Sequence, residues 1–196
     1  FTIQRHENIA VEKNFVVGPA KLEATLVPGE SKTIMISVDN KTGRSQAFTV
    51  SFEDFVASSE QNEAVTLLGE KESETSLKKF LSVEKTDFVL EHGDRAIIPV
   101  TITVPVGVRA GGLFGTVLVS AVAQRDAVTD DSRTYSGAVV VGRVGTLVFA
   151  TVAGNTTSEG ELVSVTTKNN SFWFLKGTVP LRVAYRNTGN VSLNPY

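Results

Sequence analysis

The chain has 196 residues, 41% hydrophobic and 20% charged, with a net charge of −2 and no cysteine. That composition can bury a core and is too apolar and too weakly charged for a disordered segment. It offers no clustered basic footprint for nucleic acid, and the lack of cysteine excludes disulfides, thiol catalysis and zinc–thiolate sites. An extracellular setting for a cysteine-free chain points to bacteria, because small secreted eukaryotic domains usually carry disulfides. No apolar run reaches the roughly 20 residues that a membrane helix needs. The chain starts at Phe1, so a signal peptide or anchor is expected to lie outside this sequence.

Residues 1–17 alternate poorly and precede the first clear strand; one use for them is to add a strand to a neighbour. Next comes LVPGESKTIMISVDN, beginning at Leu26, in which Ile34, Ile36 and Val38 alternate with Ser37 and Asp39. A second copy, LEHGDRAIIPVTITV, begins at Leu90: Gly93 falls on Gly29, Asp94 on Glu30 and Ile98 on Ile34. Period two with β-branched residues predicts a half-buried strand, and Pro28-Gly29 and His92-Gly93 supply a turn before each. Each copy therefore predicts a hairpin of short strand, tight turn and long strand.

Between the copies, Phe48, Val50 and Phe52 alternate with Thr49, Ser51 and Glu53 and predict another strand. Residues 58–76 are polar and acidic and predict a long loop or an added hairpin. Leu77, Phe80 and Leu81 stand at helical spacing, with Thr75 or Ser76 as a cap, and predict a short helix. Residues 111–123 are apolar on both faces, as suits a central strand. Residues 125–136 are polar and predict a loop, and residues 138–152 a long closing strand bent at Gly142 or Gly145. After Gly154 the grammar restarts in FLKGTVPLRVAYRNTGNV, where Val179, Leu181, Val183 and Tyr185 alternate with Arg182 and Arg186.

These features predict an all-β protein. Residues 1–154 form an immunoglobulin-like β-sandwich with an insertion at about 58–82. Residues 155–196 open a second immunoglobulin-like domain and stop after about two strands. The Pro-Gly turn with its strand, the later turn and strand closed by Pro105, and the strand AGGLFGTVLV occur in that order over residues 20–154. In this the chain resembles the WxL-interacting proteins of bacterial surfaces. The resemblance implies an N-terminal immunoglobulin-like domain that binds peptidoglycan and a second one that binds host or partner proteins. It implies no catalytic residue, and the acidic insertion departs from the family's pattern.

Candidate chemistry is sparse. His92 reads as a turn residue in water, and His6 has no evident partner. The pairs Glu53-Asp54 and Asp130-Asp131 lack the spacing of a calcium loop and read as solvated charge. Gly111-Gly112 and Gly115 precede a strand, not the helix a phosphate cradle requires, so they read as sites of close backbone approach. Phe172, Trp173 and Phe174 hold the one tryptophan. In a strand, Trp173 faces away from the two phenylalanines, which makes this cluster the candidate partner-binding site. Nothing calls for a metal or cofactor. The expected function is a non-catalytic bacterial cell-surface module that engages the cell wall or another surface protein. The alternative is a periplasmic chaperone, or a filament or surface-layer subunit, that works by strand addition; in the chaperone, Lys168 and Lys176 would serve a basic cleft.

Overall fold

The computed structural model describes residues 1–58, 64–122, 142–167, 177 and 179–193. Its strands are β1 (Thr2–Arg5), β2 (Asn14–Gly18), β3 (Lys21–Leu26), β4 (Ser31–Lys41), β5 (Gln46–Glu53), β6 (Phe55–Ala57) and β7 (Val65–Leu67). There follow β8 (Leu81–Val83), β9 (Asp87–Leu90), β10 (Asp94–Thr103), β11 (Gly111–Ala121), β12 (Arg143–Val152), β13 (Gly160–Thr167) and β14 (Leu181–Asn187). One sheet runs β1-β10-β4-β2, with β8 also on β10, and a second runs β3-β12-β11-β5-β9. This is an immunoglobulin-like sandwich. The alternating residues read from the sequence fill its core: Ile34, Ile36 and Val38 of β4, Ile98, Val100 and Ile102 of β10, and Phe48 and Val50 of β5 are all buried.

The twin motif is real, but neither copy is a hairpin. β3 lies in the second sheet and β4 in the first; β9 lies in the second and β10 in the first. Each Gly corner is thus an arch that carries the chain across the sandwich. Period-two alternation identifies a strand and its buried face but says nothing of its partner, and the hairpin expectation failed there.

The two arches are built alike. Gly29 and Gly93 both have a left-handed φ, 89° and 86°. Glu30 accepts a hydrogen bond from the Val27 amide at 2.8 Å, and its equivalent Asp94 accepts one from the Glu91 amide at 3.0 Å. The Gly29 amide donates to the Val104 carbonyl (2.7 Å) and the Gly93 amide to the Asn40 carbonyl (2.9 Å); Asn40 and Val104 close the two copies. β4 and β10 are antiparallel neighbours, and Met35 pairs with Pro99, its own equivalent in the other copy. The repeat therefore encodes a local pseudo-twofold axis through that pair, with one arch at each end.

Two strands change sheet along the edges. β2 pairs with β4, and after a cis Gly18–Pro19 bond β3 pairs in parallel with β12. β8 pairs with Val100–Ile102 of β10, then the chain crosses and β9 pairs with β5. The part of the β10 edge that β8 leaves is taken by β1, from Thr2 opposite Ile97 to Arg5 opposite Asp94.

The β6–β7 hairpin leads into the insertion, which returns along β11. Phe114 exchanges backbone contacts with this returning segment: its amide donates to the Thr75 carbonyl (2.8 Å) and its carbonyl accepts from the Leu77 amide (3.2 Å). The expected short helix is only a 3₁₀ turn, Lys78–Phe80, with no side-chain cap from its own N-cap residue. Leu77 is fully buried in the core, so packing of that one side chain, not a helical face, places the segment. β11 is the central strand expected: Leu113, Val117 and Val119 face the core, while Thr116 and Leu118 are buried on the outer face. β12 carries the part of the closing strand that lies within the described residues, which exclude 138–141. β13 and β14 form a separate two-stranded sheet with a register shift between Leu162 and Ser164.

Candidate partner-binding surfaces

Several of the described polar residues singled out in the sequence serve as structural pins. Asp54 is completely buried. Its carboxylate accepts from the amides of Ser73 (3.2 Å), Leu77 (3.1 Å) and Lys78 (3.0 Å) and so closes the insertion where it leaves β5. Glu53 points the other way, to the Gly69 amide and the Arg143 guanidinium. The reading of this pair as solvated charge is corrected: adjacent strand residues face opposite sides, and both sides are covered here. Asp130-Asp131 lies outside the described residues.

His92 is likewise not a free turn residue. Its Nδ1 accepts from the Gly43 amide (3.3 Å) and its Nε2 lies 3.1 Å from the Ile9 carbonyl, so the ring ties the segment after β1 to a corner. His6 is exposed, and its amide donates to the Gly93 carbonyl at 3.0 Å. A cavity of about 180 Å³ lies beside His6, lined by His6, Ile9, Asp39, Asp94 and Arg95 among others. Its acids are already engaged. Asp39 receives two hydrogen bonds from Arg95 (2.6 and 3.1 Å), and Asp94 receives the Glu91 amide. The Asp39 carboxylate also raises the Arg95 pKa, fixing its charge. Among the described residues no group of three or more His, Asp or Glu side chains is placed to hold a metal ion.

All three glycines of the Gly-Gly-x-x-Gly run are sites of close approach, as expected. A Cβ on Gly111 would meet the Asn190 carbonyl oxygen at 2.9 Å, and one on Gly115 would meet Leu77 Cβ at 3.0 Å. A Cβ on Gly112 would meet the Phe114 ring at 2.8 Å, and its amide donates to the Asn190 carbonyl (2.6 Å). The Asn190 side chain accepts from the Thr157 amide (2.7 Å) and donates to the carbonyls of Ala110 (3.2 Å) and Asn155 (3.1 Å). Asn190 is therefore the pin between the sandwich and the β13–β14 ribbon. Sequence reading passed over it; only its place in an Asn-Thr-Gly-Asn turn hinted at it.

Among the described residues, the ribbon carries a run of exposed apolar side chains. Leu162 pairs with Tyr185 and Val165 with Val183. Leu162, Val165, Leu181, Val183 and Tyr185 are 46–62% exposed. Isolated exposed apolar residues are ordinary, but these adjoin one another on a single ribbon. Gly177, expected as a third corner, stands between residues that lie outside the described ones. The candidate site Phe172, Trp173 and Phe174 lies outside the described residues, as do Lys168 and Lys176.

No protein-family model and no curated protein matches this chain. Several solved structures are similar to this chain. The class 5 fimbriae chaperone CfaA is 15% identical with a TM-score of 0.50, over 91% of this chain and 68% of that one. A CsuC–CsuE chaperone–tip subunit complex from Acinetobacter baumannii is 10% identical with a TM-score of 0.49, covering 90% and 73%. The PapD-like domain 7 of human CEP192 is 10% identical with a TM-score of 0.46, covering 76% and 89%. At 15% identity the likeness to CfaA shows the fold alone, an immunoglobulin-like sandwich.

Proposed function

We propose that this chain is a non-catalytic binding module of a bacterial cell surface, with another protein as its principal partner. One observation carries the reading. Asp54, Asn40, Asp94 and His92 each hold backbone groups of the protein itself, while large apolar side chains stand exposed on the β13–β14 ribbon. Partner surfaces gain affinity from apolar side chains that a partner can desolvate. The resemblance to WxL-interacting proteins fits such a module, with peptidoglycan as a further ligand of the sandwich. The test is a pull-down on purified peptidoglycan beside cross-linking to isolated surface proteins. A protein cross-link that Leu181→Ser/Val183→Ser abolishes supports the reading. Equal capture by the parent and the double variant, or retention on peptidoglycan alone, overturns the protein partner.

A second reading, a periplasmic chaperone that works by strand addition, is supported by the fold shared with CfaA. It predicts that the chain keeps an unfolded partner subunit soluble, which a light-scattering assay of subunit aggregation measures.

A further inference from the structure

We propose that β1 is an exchangeable strand, and that the edge it fills on β10 accepts the same strand from a second copy of this chain. β1 completes a sheet edge that the rest of the fold leaves bare, since β8 covers only Val100–Ile102 before the chain crosses to the other sheet. It is held by four backbone pairings and by the Arg5–Asp94 ion pair (3.6 Å), and all four of its side chains are exposed. Its anchor is Phe1, which packs on the core against Phe88 at 5.4 Å between ring centroids, with Lys85 Nζ 5.1 Å from the Phe1 ring centre. A strand from a second copy would make the same pairings and carry the same anchor, so complementarity in trans is given by the fit in cis.

The connector locates the hinge. On one side the His6 amide is bonded to the Gly93 carbonyl; on the other the Ile9 carbonyl is bonded to His92. Between these fixed points lies Asn8 at φ 62°, a left-handed conformation that asparagine tolerates better than other side chains but that only glycine adopts freely. The 180 Å³ cavity lies beneath this turn, so the connector does not pack closely on the sheet. Extending Asn8 relieves its strain and sends β1 outward, while Ile9 onward stays in place. Strained hinges of this kind favour exchange because the interface is unchanged and the strain is lost.

Because the chain has no cysteine, one pair of engineered thiols reports the exchange. Thr2 stands opposite Ile97 in the register. Equimolar Thr2→Cys and Ile97→Cys single variants are mixed, incubated at high concentration and oxidised. The expected result is a covalent dimer on a non-reducing gel, exceeding by at least threefold that from Thr2→Cys mixed with Lys32→Cys, a site out of register. Asn8→Gly, which removes the strain, should lower the dimer yield several-fold. Asn8→Val, which cannot hold a left-handed φ, should raise it. If Asn8→Val does not fold, the mixing experiment with native Asn8 decides alone. Mixed single variants that stay monomeric, while the Thr2→Cys/Ile97→Cys double variant closes its disulfide within one chain, overturn the proposal.

Discussion

Asp54 shows how a single buried carboxylate can organise a segment of more than twenty residues. Three backbone amides converge on it, and those of Ser73 and Lys78 would be left without an acceptor if it were removed, while Leu77 would keep only its longer bond to Phe114. Burying unpaired amides costs about 1–3 kcal/mol apiece, partly offset by relaxation and water entry. Asp54→Ala should therefore lower stability by about 3 kcal/mol, and Asp54→Asn, which keeps one acceptor oxygen, by about half as much. Denaturant unfolding at unchanged slope measures both. Asp87 is a gentler case at the surface. The Thr49 hydroxyl, and then that of Thr86, donate to its carboxylate at 2.7 Å each and hold its pKa below the ordinary value. A group with a lowered folded pKa contributes stability above its unfolded pKa and loses it as pH falls through the folded value. Thr49→Val should move the Asp87 titration upward, which carboxyl-carbon NMR reads directly.

Among the elements, the two arches are the most regular feature, and they rank their own glycines. Both need a left-handed φ, which costs alanine about 1–2 kcal/mol. A Cβ on Gly29 would meet the Val106 methyl at 3.0 Å, and a side chain can turn away. A Cβ on Gly93 would meet the His6 backbone oxygen at 2.7 Å, and that atom is fixed by β1. Gly93→Ala should thus be the more destabilising of the two, and it alone should raise hydrogen exchange at the amides of β1. The arches also show what the sequence made legible. Alternation in β4, β5 and β10 identified strands and core faces correctly, because burial on one side of a pleated strand must repeat every second residue. It could not tell arch from hairpin, since that depends on which edge a strand meets. Nor could it find β1, whose exposed residues carry no burial pattern and whose place is set by backbone pairing to an edge vacated far along the chain. The candidate surface was half legible: the apolar alternation of β14 was visible, but its exposure depends on what does not pack against it.

At the scale of the whole molecule, the question is how the ribbon is held to the sandwich. The described polar contacts between them converge on one residue. Asn190 meets Gly112 and Ala110 on the sandwich side, and Asn155 and Thr157 on the ribbon side. No apolar seam accompanies these contacts in the described core, where every member belongs to residues before Ala153. A junction made of hydrogen bonds near solvent adds little net stability per bond, about 1 kcal/mol, but fixes direction. Asn190→Ala should therefore leave the sandwich melting transition within about 1 kcal/mol of the parent while loosening the ribbon. Limited proteolysis is the direct check, with faster cleavage between Gly154 and Gly160 and an intact sandwich fragment as the expected pattern. Cooperative loss of both parts together would instead mean that ribbon and sandwich fold as one unit, with Asn190 as part of a shared core.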